Sequence, residues 1–383
     1  MIFELSEHHL LVRQQARSFA ENELGPIAKQ IDEEQVFPMD VYRKAGQIGL
    51  IGAAVSTEYG GGGADILSLI IIKEELCRVA SGFGISFMVC ALNFCHFLSM
   101  LGTEEQKKKY LPPVMSGEKL ASFCLTEPEA GSDALSLRTT ARPEGDYYVI
   151  NGSKTFITNG PVADYFLVVA RTKEGKSSKV GTNFLVESGT PGLSVGKKMD
   201  KLGMRCSPTS EVFFESVKVH RDQILGTEGS GFIDMFRILD AERTGQACTS
   251  LGIAQAAYEA AVNYARERKQ FEQPIANFQM IQEKLANMCI GMETARLYTY
   301  RTAQLIDEGN KATKESAIAA HYAGSVAFQI AADAVQIHGG YGFIKDYHVE
   351  RYFRDVKLGE IGGGTSQIKS LVIARELLKE WAV

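Results

Sequence analysis

Tyr165-Phe166-Leu167-Val168-Val169 is a short run of aromatic, aliphatic and β-branched residues, and its reading decides the fold. It does not stand alone. Tyr147-Tyr148-Val149-Ile150, Asn183-Phe184-Leu185-Val186 and Glu211-Val212-Phe213-Phe214 have the same character, and Asn-Gly, Gly-Thr and Pro-Gly turn signals separate these runs. Residues 120–225 therefore read as an antiparallel β domain, with no helices between strands to build a parallel sheet. On either side the period changes. Before 120, Ser6 can cap a helix in which Leu10, Leu11, Ala16, Phe19 and Ala20 recur at helical spacing, with Pro26 in its end region. Thr103-Glu104-Glu105-Gln106 is a capping-box pattern, and Leu111-Pro112-Pro113 is expected to stop that helix. After 225, Gly252-Ile253-Ala254-Gln255-Ala256-Ala257 alternates small and large residues, which suits close helix packing. The chain reads as α+β: an N-terminal α-helical domain (1–119), a central β domain (120–225) and a C-terminal helical domain (226–383).

A chain of 383 residues is long enough for several sub-domains with a substantial core. Its net charge of −5 is mild and its basic residues are dispersed, which gives no polyanion-binding signal and argues against nucleic acid. The seven cysteines are scattered without a C-x-x-C pair and mostly lie in apolar runs, as reduced core residues do. No metal-ligand cluster is legible. No uninterrupted apolar run of membrane-spanning length is read, so no membrane insertion is expected. Met1-Ile2-Phe3-Glu4-Leu5 has no basic-then-apolar signal pattern, so a cytoplasmic location is expected.

Two glycine-rich stretches raise the question of a nucleotide. Tyr59-Gly60-Gly61-Gly62-Gly63-Ala64-Asp65 lacks the Lys-Ser/Thr of a phosphate-binding loop and follows no βα unit, so it reads as a loop before a helix. Phe123-Cys124-Leu125-Thr126-Glu127-Pro128-Glu129-Ala130-Gly131-Ser132-Asp133 is different. Gly131 permits close backbone approach to a ligand, and Thr126 and Ser132 offer hydroxyls and amides. This stretch resembles the Thr-Glu-Pro-x-Ala-Gly-Ser-Asp signature of the acyl-CoA dehydrogenases.

Further segments resemble that family in its order along the chain. Asn151-Gly152-Ser153-Lys154-Thr155-Phe156-Ile157-Thr158 is similar to the second flavin segment. The resemblance implies Phe156 against the isoalloxazine and Thr158 on its polar edge. Arg268, Phe271 and Gln279, and the loop Gln336-Ile337-His338-Gly339-Gly340, resemble two segments that reach FAD across a subunit interface. From the resemblance, the cofactor is FAD. Its contacts are Phe123, Leu125, Thr126, Gly131, Ser132, Phe156, Thr158, Arg268, Phe271, Gln279, Gln336, Gly339, Gly340, Thr365 and Gln367. The resemblance also implies a C-terminal four-helix bundle, a homo-oligomer (usually a tetramer), an acyl-CoA substrate and an electron-transferring flavoprotein as electron acceptor.

Near the chain end, Glu360-Ile361-Gly362-Gly363-Gly364-Thr365-Ser366-Gln367-Ile368 departs from the family pattern. Most members carry an aromatic residue and then the catalytic Glu where this chain has Gly362 and Gly363. The Glu removes the α-proton of the thioester while the β-hydride leaves for the flavin. Some members, isovaleryl-CoA dehydrogenase among them, carry the base instead before an Arg on the first long helix after the β domain. Here that helix reads Phe236-Arg237-Ile238-Leu239-Asp240-Ala241-Glu242-Arg243, placing Glu242 at the alternative position. Ser132, Asp240, Arg243 and Gly363 fall on substrate-contacting positions. Glu360 is the alternative carboxylate. The emptied corner suits a branched or alicyclic acyl group, such as cyclohexanecarboxyl- or cyclohexene-carboxyl-CoA. Two alternatives remain: 1,4-dehydrogenation of an alicyclic enoyl-CoA, and a flavoprotein that binds acyl-CoA without turnover. A 1,4-elimination would use an Asp from the N-terminal domain, yet no Asp or Glu lies between Glu75 and Glu104.

Overall fold

The computed structural model describes residues 4–381 except 174, 176, 178 and 179. Among the described residues, six α-helices form the N-terminal layer: α1 (Glu7–Phe19), α2 (Ala28–Glu33), α3 (Met39–Gln47), α4 (Ile66–Met88), α5 (Phe97–Leu101) and α6 (Glu104–Met115). Ser6 caps α1 by accepting from the His9 amide at 3.3 Å. Asp65, at the end of the glycine loop, caps α4 by accepting from the Ser68 amide at 2.8 Å. The next two free amides of α4, Ile66 and Leu67, donate to Asp307 at 2.7 and 3.0 Å, so the C-terminal domain helps seal this helix start.

Two expectations for this layer need correcting. The prolines do not stop α6, which carries Pro112 and Pro113 in its last turn, where little helix remains to be disrupted. The chain turns at Gly117, with φ +76°, where the added Cβ would meet the backbone of Arg43 at 2.8 Å. The helical stretch Ile66–Leu101 is also long and apolar enough to cross a membrane, contrary to the sequence reading. It is the core of this protein, with Leu69, Ile70, Ile71, Leu76 and Phe83 fully buried.

The β domain holds β1 (Ala121–Cys124), β2 (Thr140–Glu144), β3 (Tyr147–Thr158), β4 (Tyr165–Arg171), β5 (Gly181–Glu187), β6 (Leu193–Val195), β7 (Thr209–His220) and β8 (Ile224–Leu225). Its order is β6-β7-β3-β2-β4-β5-β8, and β1 also pairs with β4. The sheet is mixed rather than purely antiparallel. β1 runs parallel to β4, with Ala121 opposite Tyr165, and β2 touches β4 in parallel at Thr140 and Arg171. A parallel pair needs only a long connection. Here the loop after β1 and the β2–β3 hairpin supply it in place of a helix.

The C-terminal layer packs α7 (Gly231–Glu267), α8 (Gln279–Asp307), α9 (Thr313–His338) and α11 (Ser366–Trp381), with the short α10 (Val349–Val356) between the last two. The small residues of α7 act as the sequence suggests. A Cβ on Gly252 would lie 2.5 Å from the Glu74 carbonyl oxygen, so α7 and α4 meet backbone to backbone. All seven cysteines are free, and six are buried.

Candidate active site

The two segments read as flavin-binding come from different strands and are stitched together by a buried clamp. The Thr155 amide donates to the Thr126 carbonyl at 2.9 Å. Lys154, fully buried, donates to the Leu125 carbonyl at 3.0 Å and pairs with Glu127 at 2.7 Å. Glu127 also accepts from the Arg138 and Thr139 amides at 2.5 and 2.9 Å. Burial alone would push the Glu127 carboxyl up. The Lys154 charge and these hydrogen bonds outweigh it and hold the group below its usual range. The clamp fixes the loop from Glu127 to Thr139 against β3. The sequence reading quoted both residues without giving either this role.

Above the clamp lie the groups that would meet a planar cofactor. Phe156 is 67% exposed and adopts φ +57°, a conformation that non-glycine residues rarely hold, so it projects from the sheet instead of joining the core. Thr126 and Thr158 are half-buried, Ser132 is exposed, and a Cβ on Gly131 would meet nothing within 4 Å. Half-buried Phe123 and Leu125 sit beside them.

The segments read as reaching a neighbouring chain form a second cluster on the outer end of α7. Between β9 (Lys269–Gln270) and β10 (Gln273–Pro274), Phe271 and Glu272 make a two-residue turn with φ +50° and +64°. Positive φ at both central residues suits a tight hairpin, so Glu272 keeps the bend without a glycine. Phe271 at the tip is 87% exposed. The Arg268 guanidinium lies over the Tyr341 ring at 5.6 Å, joining this hairpin to the Gly339–Gly340 loop. Gln279, Gln336, Gly339 and Gly340 are exposed, and a Cβ on either glycine would meet nothing within 4 Å. Exposed aromatics, a cation with no ion pair among the described residues and open glycine cradles fit the demands of FAD.

The base candidates lie where α7 meets the glycine turn. Glu242 is half-buried and forms no hydrogen bond or ion pair among the described residues. Burial raises its carboxyl above the usual range, opposed by the charges of Arg243, Lys73 and Lys369. One turn along α7, Gln246 faces the glycines: its side chain lies 3.8 Å from the Cβ position of Gly363. Gly363 and Gly364 take φ +63° and +95°. Thr365 is half-buried and Gln367 exposed at the start of α11. Glu360 instead pairs with Lys357 at 2.5 Å.

Arg243 is buried, and its Nε has no hydrogen-bond partner among the described residues. Asp240 turns toward α9, accepting from the Ala312 amide at 3.1 Å and the Thr313 hydroxyl at 3.2 Å. It thus caps a helix that lacks a capping side chain of its own. Asp240→Ala should lower stability by about 1 kcal/mol, read by denaturant unfolding. A loss of acyl-CoA affinity at unchanged stability would instead assign Asp240 to the substrate. Two lysines beside Glu242 escaped the sequence reading. Lys73 stands out only as a charge inside an apolar helical run. Lys369 is fully buried, donates to the Gly359 carbonyl at 2.9 Å, and is pushed down to about 8, chiefly by burial.

Comparison with known proteins agrees with this geometry. The family models for the acyl-CoA dehydrogenase N-terminal, middle and C-terminal domains match residues 6–118, 122–217 and 229–378. A 3-(aryl)acrylate reductase of Clostridium sporogenes is 48% identical, over 98% of this chain and 99% of that protein. Butyryl-CoA dehydrogenase of Megasphaera elsdenii superposes with a TM-score of 0.96 at 39% identity, over 99% of this chain and 100% of that one. A structure described as the electron transferring flavoprotein of Acidaminococcus fermentans, in work on flavin-based electron bifurcation, superposes with a TM-score of 0.97 at 41% identity, over 99% and 100% of the two chains. The chain belongs to the acyl-CoA dehydrogenase family of FAD-dependent oxidoreductases acting on CH–CH groups.

Proposed function

We propose that this enzyme dehydrogenates a short branched or alicyclic acyl-CoA, cyclohexanecarboxyl- or cyclohexene-carboxyl-CoA being examples, with Glu242 as the base. The observation that carries this reading is the pairing of an emptied position with a free carboxylate. Gly363 holds no side chain where most relatives carry the base, and Glu242, with no hydrogen-bond or ion-pair partner among the described residues, sits one helical turn from the Gln246 that faces it. FAD, when bound, accepts the hydride from the β-carbon. The chain's own work is to remove the α-proton at the Glu242 carboxylate, orient the thioester and exclude water. Burial of Glu242 raises its carboxyl and makes it a stronger base once ionised, and the charges of Arg243, Lys73 and Lys369 oppose that rise. Gly363 leaves room beside the α-carbon for a branch or ring, whereas the space off Gly362 is taken by the Gln246 amide, 2.8 Å from its Cβ position.

Anaerobic addition of an acyl-CoA panel to the FAD-loaded protein tests the reading. Branched and alicyclic thioesters should reduce the flavin faster than a straight chain of equal carbon number. The opposite order, or no reduction by any thioester, would refute it. A further expected outcome concerns Gly363→Glu placed in a Glu242→Gln background. The Cβ position is open, its nearest neighbour Gln246 being 3.8 Å away, and the left-handed φ of +63° costs roughly 1–2 kcal/mol. Flavin reduction by straight-chain acyl-CoA should recover by roughly tenfold or more, while branched substrates stay slow.

The same reading includes a homo-oligomer, a tetramer in the family pattern, in which Arg268, Phe271 and the Gly339–Gly340 loop serve a neighbour's FAD. The solvent-facing apolar residues of the C-terminal layer support it, with Met280, Leu371 and Leu378 each at least 66% exposed. It also includes an electron-transferring flavoprotein as acceptor and a cytoplasmic location.

A further inference from the structure

Lys73 belongs to α4, within Leu69-Ile70-Ile71-Ile72-Lys73, and is 2% exposed. Among the described residues its ammonium has no hydrogen bond and no ion pair, unlike its neighbour Glu74, which binds Arg296 at 2.9 Å and Tyr300 at 2.6 Å. Its location is fixed by Gly245 of α7, three residues after Glu242. A Cβ on Gly245 would lie 2.9 Å from the Met88 methyl carbon, 3.6 Å from the Lys73 Nζ and 3.8 Å from Ile70 Cδ1. The ammonium therefore lies against α7 within one turn of Glu242, on which its charge acts, in a wall otherwise made of Ile70, Met88 and a bare glycine.

An unpaired ammonium in such a wall is costly, because burial strips its water without supplying acceptors. A purely hydrocarbon acyl group would be served by an apolar side chain of the same length. Arg243, Lys73 and Lys369 bear on Glu242, while the other carboxylates nearby are engaged, Asp240 at the start of α9 and Glu360 by Lys357. One further negative group beside Lys73 would complete the set. We infer that Lys73 recognises a second carboxylate carried by the acyl group, so that the preferred substrates are CoA monothioesters of branched dicarboxylic acids. This inference rests on the dehydrogenase reading above and narrows its substrate. The carboxylate would sit against Lys73 while the thioester lies by the glycine turn and the α-carbon by Glu242.

The test compares two thioesters of matched shape, 3-methylglutaryl-CoA and 3,5-dimethylhexanoyl-CoA, in which an isopropyl group replaces the distal carboxylate. Binding to FAD-loaded Glu242→Gln protein is measured by equilibrium dialysis, and flavin reduction is measured anaerobically in the wild type. The carboxylated thioester should bind roughly 10–100-fold tighter, the range of a hydrogen-bonded charge. Lys73→Met, which keeps length and adds apolar contact, should erase or reverse that preference while leaving FAD content and melting temperature at or above wild type. Lys73→Arg, which keeps the charge, should retain part of the preference. A wild type that binds the two thioesters equally or favours the neutral one overturns the inference, as does a Lys73→Met change that weakens both alike. If the neutral thioester alone is bound and reduces the flavin, only this inference falls. If neither binds nor reduces it and the panel of short branched and alicyclic thioesters fails as well, the dehydrogenase reading falls with it.

Discussion

Glu242→Gln lowers the rate of anaerobic flavin reduction by about 10²–10⁴-fold, the usual worth of a positioned general base, while FAD content stays at the wild-type level. The amide keeps the shape of the side chain and removes only its proton affinity. Because burial raises the Glu242 carboxyl, the wild-type rate should climb with pH through an inflection above the ordinary carboxylate value of about 4.3. Only the ionised form can accept the α-proton, so the acid limb is the slow one. Rapid-mixing measurements across pH 5 to 9 read both effects. A variant as fast as wild type would remove Glu242 from the mechanism. Glu360→Gln, run in parallel, should stay close to wild type, because Glu360 is held by Lys357.

The second large effect lies in the clamp beneath the flavin segments. Lys154→Met leaves Glu127 buried at 5% exposure with its charge uncompensated, a loss of about 3–5 kcal/mol. The observable is weak FAD retention together with a lowered melting temperature. Lys154→Met combined with Glu127→Gln should lose less than Lys154→Met alone, since no stranded carboxylate remains. Additive losses would show that the two residues act independently. The pH dependence has a definite sign. Glu127 is held below its usual range, so its contribution is complete above the unfolded carboxylate value of about 4.3 and disappears as pH falls through the lower folded value. Acid should therefore release flavin from the wild type more steeply than from the double variant.

Much of this architecture was legible in the sequence because its signals are local. The strand runs around Tyr165 and the capping box at Thr103 appear where residue pattern puts them. The parallel pairing of β1 with β4 could not be read that way, since it depends on two segments some forty residues apart meeting across a loop. The prolines of α6 misled for a related reason: a rule for helix interiors weakens in the last turn. In the site, resemblance supplied the residues that face outward, such as Phe156 and Phe271. It gave no sign of Lys73 or Lys369 and no role for Lys154, residues whose meaning lies in being buried, and burial is a property of the tertiary fold. Asp240 shows the opposite lesson, a motif position whose carboxylate is turned to holding a neighbouring helix.

The placement of Glu242 on α7 has a consequence for how this enzyme could change over time. α7 is 37 residues long and packed against α4, α8 and α9, whereas the turn from Ile361 to Gly364 is a short stretch between secondary elements. With the proton-abstracting group on the helix, the turn is released from chemistry and can be reshaped by single substitutions without disturbing it. Under this assignment, the range of acyl groups accepted and the ability to react are written on separate pieces of the chain and can drift apart independently.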